Sequence, residues 1–563
     1  MLLSRSLRST AAVRLATLSS SVSSRHSTRR AASTTSLQGI TQLTEADRQP
    51  FVDVFAPSAS HGTLASVDLA QGWRDLAQHP TLGSLVELAD EMPWIRDNGQ
   101  PGLLQQHRFA ASVVDHLPNH TQTILDMCLE VLRTEAGPDR DRLLAQLANL
   151  KTMFAYFINN FCYEPCRHRF AVTQDPNDVG SAHFFVPANL AQPRSLLSLA
   201  FADHRPEYRW QNYNEYSPAN CIVRDPSQPL SRENVTTVIR SEGSPDEIGF
   251  ITNHYVQESL TAPLIESALT IAHLPEELGQ ARTLDTATRQ RFSETLAGSY
   301  HRATEAMQRI NAVNREMPKW CTPAGYGELR VWIPGPKGHN GPSKLFPQQG
   351  VMMEGSAALG FADYDLSRGE TGAMTTILAT ARRMSLFMYD AARYGENELT
   401  SAQADFDRRR EPGQQRLLFD LGTQETQQRA RAAVDGLDAP VLYHLIHLRN
   451  EIVTHNLTHY GYSVNYIFDN RSTGKQSLFE ATGGTTHSFL PTSALANIDD
   501  TLHEIDVLRA RRSELESAQW EDIAAIEERM LRCKRQAEKS RTYFADIAEH
   551  RSSTEGERWS ATA

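Results

Sequence analysis

The sequence predicts a mainly α protein with a smaller mixed part in its first half and an amphipathic helix near its C terminus. Apolar residues recur at helical spacing through most of the chain. From about 182 to 240, aromatic and β-branched runs lie between Pro and Asn turns, which indicates short strands and loops. From 498 to 547, Leu, Ile and Met recur at helical spacing between dense charges. With 563 residues, 40% of them hydrophobic, the chain can bury a large core.

The N-terminal segment has the composition of a targeting sequence. The first 36 residues hold six arginines, and the first carboxylate of the chain is Glu45. We therefore predict that residues 1–45 are a transit peptide, with a plain disordered tail as the alternative, and that the protein is mitochondrial or cytoplasmic. Without these six arginines the formal net charge of −11 becomes −17. Such an acidic surface argues against non-specific binding of nucleic acid.

The rest of the chain divides into four predicted parts. Residues 46–245 form a mostly helical N-terminal part with short strands, and 246–495 form a second helical domain. Residues 496–550 form one long amphipathic helix or a helical pair, a candidate surface for self-association, and 551–563 form a disordered tail. No stretch is long and apolar enough to predict a membrane span.

The cysteines indicate neither a disulfide framework nor a clear metal site. Six of them are scattered through the chain, which favours a reducing compartment. The tightest cluster, "CYEPCRH", offers Cys162, Cys166 and His168 as ligands, but no fourth ligand follows at zinc-finger spacing. The alternative is that both cysteines are small buried apolar residues.

One predicted helix, 441–467, carries a row of histidines. His444, His447, His455 and His459 fall within an arc of about 120° at helical spacing, and His459 lies at the edge of the apolar face. Three interpretations remain open on spacing alone. The row is solvated or hydrogen-bonded, or His455 and His459 share a zinc ion, or one histidine binds haem iron in an apolar pocket.

Four further motifs resemble, in order, those of the indoleamine 2,3-dioxygenase family of haem enzymes. They are "GFITNHYVQE" from 249, "LRVWIPGPKG" from 329, "RGETGAMTTIL" from 368 and "ATGGTTHSFL" from 481. Together with the histidine helix they cover less than half of the chain. The resemblance implies a helical haem-binding domain, haem b with its iron as cofactor, and a small aromatic amino acid and O2 as partners.

The resemblance also assigns roles to individual residues. His459 matches the histidine that ligates the haem iron, whereas a different local match, through "EIVT", puts Arg449 there, which cannot ligate iron. Arg330 matches the arginine that binds the substrate carboxylate, as the fork of a guanidinium suits. Tyr326 matches an aromatic residue that packs against the indole, and Thr482 matches the threonine of a mobile loop that closes over the substrate.

Other positions match or depart from the family near the distal face of the haem. Gly369 and Gly372 would let the backbone approach the haem, and Gly369 would also border the substrate. His254 stands where indoleamine 2,3-dioxygenases have a serine and resembles instead the catalytic distal histidine of tryptophan 2,3-dioxygenase. The alternative is that His254 is a core histidine whose ring is hydrogen-bonded to a carbonyl group. Gly325 replaces an aromatic residue, and Glu370 replaces a small polar one. These departures leave the substrate open.

The implied reaction is opening of the indole ring of L-tryptophan, or of a related indoleamine, to an N-formylkynurenine-type product. A second interpretation keeps the haem but predicts monooxygenation or rearrangement of another aromatic amino acid. A third, from a different class, is a non-catalytic haem-binding or helical scaffold protein whose C-terminal helix recruits a partner. In that third case the histidines are structural and Arg330 is dispensable.

Overall fold

The structure is a computed structural model, and it describes residues 45–55, 58–62, 64–174, 186–201, 213–264, 266–267, 286–332, 362–365, 370–374, 438–468 and 489–560. Of these residues, 75% are helical and 3% lie in strands, so the predicted mainly α fold is confirmed. The predicted transit peptide lies outside the described residues.

The first half of the chain contains nine α-helices and two short strands within the described ranges. The helices are α1 Glu45–Asp53, α2 Leu69–Ala77, α3 Gly83–Glu91, α4 Phe109–His116, α5 Thr121–Arg133, α6 Pro138–Thr173, α7 Ala188–Ala200, α8 Tyr213–Tyr216 and α9 Pro245–Ser259. Strands β1 Cys221–Val223 and β2 Val235–Thr237 pair antiparallel, with Ile222 opposite Thr236.

The second half is built from long helices. They are α10 Thr286–Arg315, α11 Met317–Trp320, α12 Pro323–Arg330, α13 Ala439–Tyr462, α14 Phe489–Arg509 and α15 Ser517–Ser560. A π-helical turn, Ser463–Phe468, extends α13. Strands β3 Ala362–Asp365 and β4 Glu370–Met374 form an antiparallel hairpin that packs against α14.

The N-terminal core is centred on α6, a 36-residue helix that is buried on nearly every face from Leu144 to Arg167. A Pro at the start of α6 supplies a preset backbone angle where no hydrogen bond is lost. Around α6 pack α2, α4, α5 and α7. The core also takes in Ile251, Val256, Val331 and Trp332, so it crosses the boundary that we expected at residue 245.

The C-terminal core is a helical bundle in which α13 packs between α10 and α14, and α15 lies against α14. The C-terminal region that we expected as one helix or a pair is the pair α14 and α15. The apolar side of α15 is covered within the chain by this core, through Ile523, Ile526 and Met530. A smaller apolar cluster, which includes Cys321, Tyr326 and Tyr466, lies between α12 and the π-helical turn.

Two segments differ from the sequence-based expectation. Residues 188–200, expected as strand or loop, form α7, because the run of Leu and Ala after Pro187 favours a helix that buries Leu190, Leu196 and Leu197. Helix α15 continues to Ser560, past the point at 551 where we expected a disordered tail. Among the described helices, none combines the length and the hydropathy that crossing a bilayer requires.

Candidate functional site

Helix α9 begins at a tightly hydrogen-bonded turn. The Ser244 side chain accepts a hydrogen bond from the backbone N–H of Glu247, as an N-cap does. The Glu247 carboxylate in turn accepts hydrogen bonds from the backbone N–H groups of Ser241 and Gly243, at 2.8 and 2.6 Å. These hydrogen bonds fix where α9 starts, and helical spacing places Phe250 and His254, four residues apart, on one side of it.

Helix α13 carries two histidines toward α9. His455 and His459 are also four residues apart, and their ring centroids are 6.3 Å from each other. Arg449 lies in the C-terminal core instead, where its Nε donates to the Glu504 carboxylate at 2.7 Å and its side chain is fully buried. The alternative alignment, which would put Arg449 at the iron, therefore selects a residue whose side chain already forms an ion pair with Glu504 of α14.

His254, His455 and His459 form one electrostatic neighbourhood, which we call the histidine trio. Burial is the main cause that lowers the pKa of each ring, to about 4 for His254, about 4 for His455 and about 3 for His459. The neighbouring imidazoles lower the pKa of both α13 histidines further. Each of the three residues is partly exposed as a whole, although protein atoms surround its ring. All three are consequently neutral near pH 7 and can offer a nitrogen lone pair.

Hydrogen bonds determine which nitrogen carries the proton in two of these rings. His254 Nδ1 lies 2.8 Å from the backbone carbonyl of Phe250, which can only accept, so Nδ1 is the donor. His455 Nδ1 lies 3.2 Å from Asn311 Oδ1, and Asn311 Nδ2 donates to Glu451. In each neutral ring Nε2 is then the lone-pair nitrogen. Metal-binding histidines are usually oriented in this way by a partner on the other nitrogen.

An aromatic wall connects the histidine trio to Arg330. Ring centroids are 4.5 Å apart between Phe250 and His254, 5.1 Å between Phe250 and Tyr326, and 5.6 Å between Tyr326 and Tyr466. Arg330 ends α12 with only 4% of its surface exposed. Burial raises the pKa of Tyr326, and the charge of Arg330 and its hydrogen bond to Tyr326 oppose that shift. A buried cation thus stands one helical turn from an aromatic ring.

The structure therefore brings together four of the residues singled out in the sequence: His254, Tyr326, Arg330 and His459. Gly369 and Thr482 lie outside the described residues. Gly372 lies in β4, whose hairpin packs against α14.

Three residues at this site were not singled out from the sequence: Phe250, Asn311 and Tyr466. Phe250 precedes His254 by four residues, so helical spacing could have indicated it. Asn311 is 144 residues away from His455 along the chain, and no local pattern points to it. Tyr466 depends on the π-helical turn, which the sequence does not indicate.

The spacing of the trio bears on what it could bind. The ligand atoms of His254, His455 and His459 do not all lie within 4.8 Å of one another. A single bare ion held at zinc-like distances of roughly 2.0–2.2 Å would require a closer approach.

The cysteine cluster of α6 does not form a metal site. Cys162 and Cys166 belong to the N-terminal core, and burial raises the pKa of the Cys162 thiol to about 12. A metal-binding thiol must lose its proton, and this environment opposes that loss. His168 follows Cys162 by six positions and Cys166 by two. At about 100° per residue, its side chain therefore points away from both cysteines around α6.

Comparison with known proteins gives no family. No family model matches the chain, and none of the curated proteins matches it.

Proposed function

We propose that the protein is a haem-dependent oxygenase that acts on an aromatic amino acid, with L-tryptophan or a related indoleamine as the preferred substrate. The observation that carries the proposal is the grouping of His254, Tyr326 and Arg330 with the α13 histidines. These residues come from three segments that are up to about 200 positions apart in the sequence. Each segment resembles a different part of the same enzyme family. Their convergence supports a common site.

The donor set fits haem. Neutral imidazole is the usual protein ligand of haem iron in histidine-ligated haem proteins, and burial keeps both α13 histidines neutral. His459 has the sequence match, whereas His455 has the partner, Asn311, that leaves its Nε2 free to bind a metal. Either would hold the iron from α13. Bound haem would supply the activation of dioxygen.

The chain's own residues would bind and orient the substrate. The buried guanidinium of Arg330 would pair with the substrate carboxylate through two hydrogen bonds. Phe250 and Tyr326 would hold the ring, and His254 Nε2, which is an acceptor in this tautomer, would take a hydrogen bond from the indole N–H. The aromatic side chains would also exclude water from the reacting bond.

The first test is the absorption spectrum of the purified protein, alone and in two variants. We expect a Soret band in the wild type and its loss in either His459→Ala or His455→Ala, whichever residue is the ligand. His503→Ala is a matched control, because this histidine is exposed on α14. A wild-type chain that takes up no haem, even when haem is supplied, would refute the proposal.

The second test separates binding of the amino acid from binding of the cofactor. Arg330→Ala should abolish turnover and keep haem, because an unpaired carboxylate in a dry site costs roughly 2–5 kcal/mol. Arg330→Lys should rescue poorly, since a point charge lacks the fork. Arg309→Ala, an exposed site on α10, is the control. Product mass after turnover in labelled O2 shows whether one or both oxygen atoms enter.

A further inference from the structure

A second group of ligand-type side chains lies in the N-terminal core, distant in sequence from the histidine trio. His107, Glu164 and His168 each place one ligand atom within 4.8 Å of the others. Glu164 and His168 are four residues apart on α6, and His107 comes from the turn just before α4. Two imidazoles and one carboxylate are a common ligand set for divalent transition metals.

The two residues on α6 are oriented by hydrogen bonds to their other atoms. His168 Nε2 lies 2.9 Å from the backbone carbonyl of Leu104, so Nε2 is the donor and Nδ1 keeps the lone pair. Burial lowers the pKa of His168. The Glu164 oxygens accept hydrogen bonds from the backbone N–H groups of Phe109 and Ala110, at 3.0 and 2.9 Å. Each oxygen has a second lone pair to offer a metal.

The turn that carries His107 is held firmly in position. The backbone N–H groups of Leu103 and Leu104 donate to the carbonyls of Glu91 and Met92, at 2.8 and 3.0 Å. His107 itself has a φ of +56°, which is uncommon for a residue with a side chain. This backbone directs its ring onto His168, with ring centroids 4.3 Å apart. The ring also stands next to Glu164.

The spacing is close to what a metal needs and too long for a direct hydrogen bond. His107 Nδ1 lies 4.0 Å from Glu164 Oε1. Two ligands of a tetrahedral zinc ion lie about 3.4 Å apart, so this pair would close by about half an ångström around an ion, and the other pairs, which lie within 4.8 Å, by at most about 1.4 Å. Arg167, three residues after Glu164 on α6, does not compete for Glu164, because it forms a bidentate ion pair with Glu242.

We propose that His107, Glu164 and His168 form a three-ligand site for a divalent transition-metal ion, with Zn²⁺ the best fit. Two nitrogens and one carboxylate oxygen leave the fourth tetrahedral position to water. The side chain of His107 is 59% exposed, so the ion can enter from solvent. The ion would fasten the turn before α4 to the central helix α6.

The experiment measures Zn²⁺ binding to the untagged full-length protein after removal of metal with a chelator. We expect one binding site, and we expect His107→Asn and His168→Ala each to lower its Zn²⁺ affinity by at least about 10- to 100-fold. A loss of about that size already follows when only the hydrogen-bond partner of a metal ligand is removed, and these variants remove a ligand itself. Asn tolerates the left-handed backbone of position 107, so this variant keeps the turn. His116→Ala, an exposed histidine at the end of α4, should bind like the wild type.

Two further measurements make the result decisive. Co²⁺ in place of Zn²⁺ should give visible absorption bands in the wild type and not in His107→Asn. Zn²⁺ should raise the thermal unfolding temperature of the wild type and of His455→Ala, but not of His107→Asn. Wild-type affinity in His107→Asn would overturn the proposal, as would loss of the site in His455→Ala instead. Neither outcome depends on whether the protein binds haem.

Discussion

The two cores bury polar groups in different ways. In the N-terminal core, buried charges lie beside opposite charges: Glu215 contacts both Lys151 and Arg194, and Glu242 binds Arg167 and the Trp332 indole N–H. In the described part of the C-terminal core, the corresponding group is Arg449, which pairs with Glu504 and Asp500 of α14 at 2.7 and 3.7 Å. Helix α13 of this core also carries four partly buried histidines, His444, His447, His455 and His459, whose pKa values burial lowers.

The difference distinguishes charged groups that are held in ion pairs from neutral rings that can act as ligands. A buried charge within a bidentate pair is committed, since removing either partner leaves an uncompensated charge. A neutral buried imidazole has one nitrogen to donate and one to accept, and stays available as a ligand or an acceptor. By this reasoning the charges around α6 serve mainly to hold the N-terminal core in one arrangement, whereas His455 and His459 of α13 can still act as ligands.

The largest expected effect tests the charge pairing of the N-terminal core. Glu215→Gln removes the carboxylate shared by Lys151 and Arg194, whose side chains are 3% and 1% exposed. We expect a loss of about 3–5 kcal/mol in the free energy of unfolding, measured by urea denaturation. Glu130→Gln, which breaks an exposed pair with Arg133, should cost less than about 1 kcal/mol. Equal losses of unfolding free energy in the two variants would contradict the stated difference between buried and exposed ion pairs.

An intermediate effect is expected where the two cores meet at α9. A Cβ at Gly249 would lie 1.8 Å from the backbone carbonyl oxygen of Trp320, so Gly249→Ala must push α9 away from α11. We expect a loss of about 1–3 kcal/mol in thermal or urea unfolding. Gly298→Ala is the matched control on α10, because its nearest neighbour is a flexible Arg302 side chain at 3.5 Å. That change should stabilise by up to about 1 kcal/mol.

The smallest expected effect concerns acid and the buried histidines of α13. Burial lowers the pKa of His447, and its Nε2 has no hydrogen-bond partner among the described residues. Asp522 on α15 and Glu451 on α13 oppose the shift, and His301 on α10 adds to it. Because the folded pKa lies below the unfolded value near 6.5, His447 contributes stability above that pH and loses it as the pH falls.

The size of this loss is bounded, and a variant isolates it. One histidine changes the free energy of unfolding by at most about 1.4 kcal/mol per pH unit, and by less here because the ring is only partly buried. Between about pH 7 and about pH 5, His447→Leu should lose less stability than the wild type. His503→Asn on the exposed side of α14 should behave like the wild type. Identical slopes for all three proteins would count against this account.

Periodicity predicted the helical cores well, because each helix is a local pattern of apolar residues. It could also place His455 and His459 on one side of α13. It could not choose between them, because the partner that orients His455 is Asn311 on another helix. On α6, too, local spacing could not identify residues that the tertiary fold brings together, and it indicated Cys162 and Cys166 as candidate ligands. The ligand-type group there instead includes His107, which only the tertiary fold brings to Glu164.

The burial of Trp332 has a consequence for biosynthesis. Its indole donates to Glu242 at 2.9 Å, and its backbone carbonyl accepts a hydrogen bond from Asn159, 173 residues earlier. The ribosome must therefore synthesise and release more than 130 residues beyond α7 before the N-terminal core can close. At roughly 5–20 residues per second this interval is on the order of ten seconds. During that time the N-terminal core lacks Val331 and Trp332, and Glu242 and Asn159 lack the partners that Trp332 supplies.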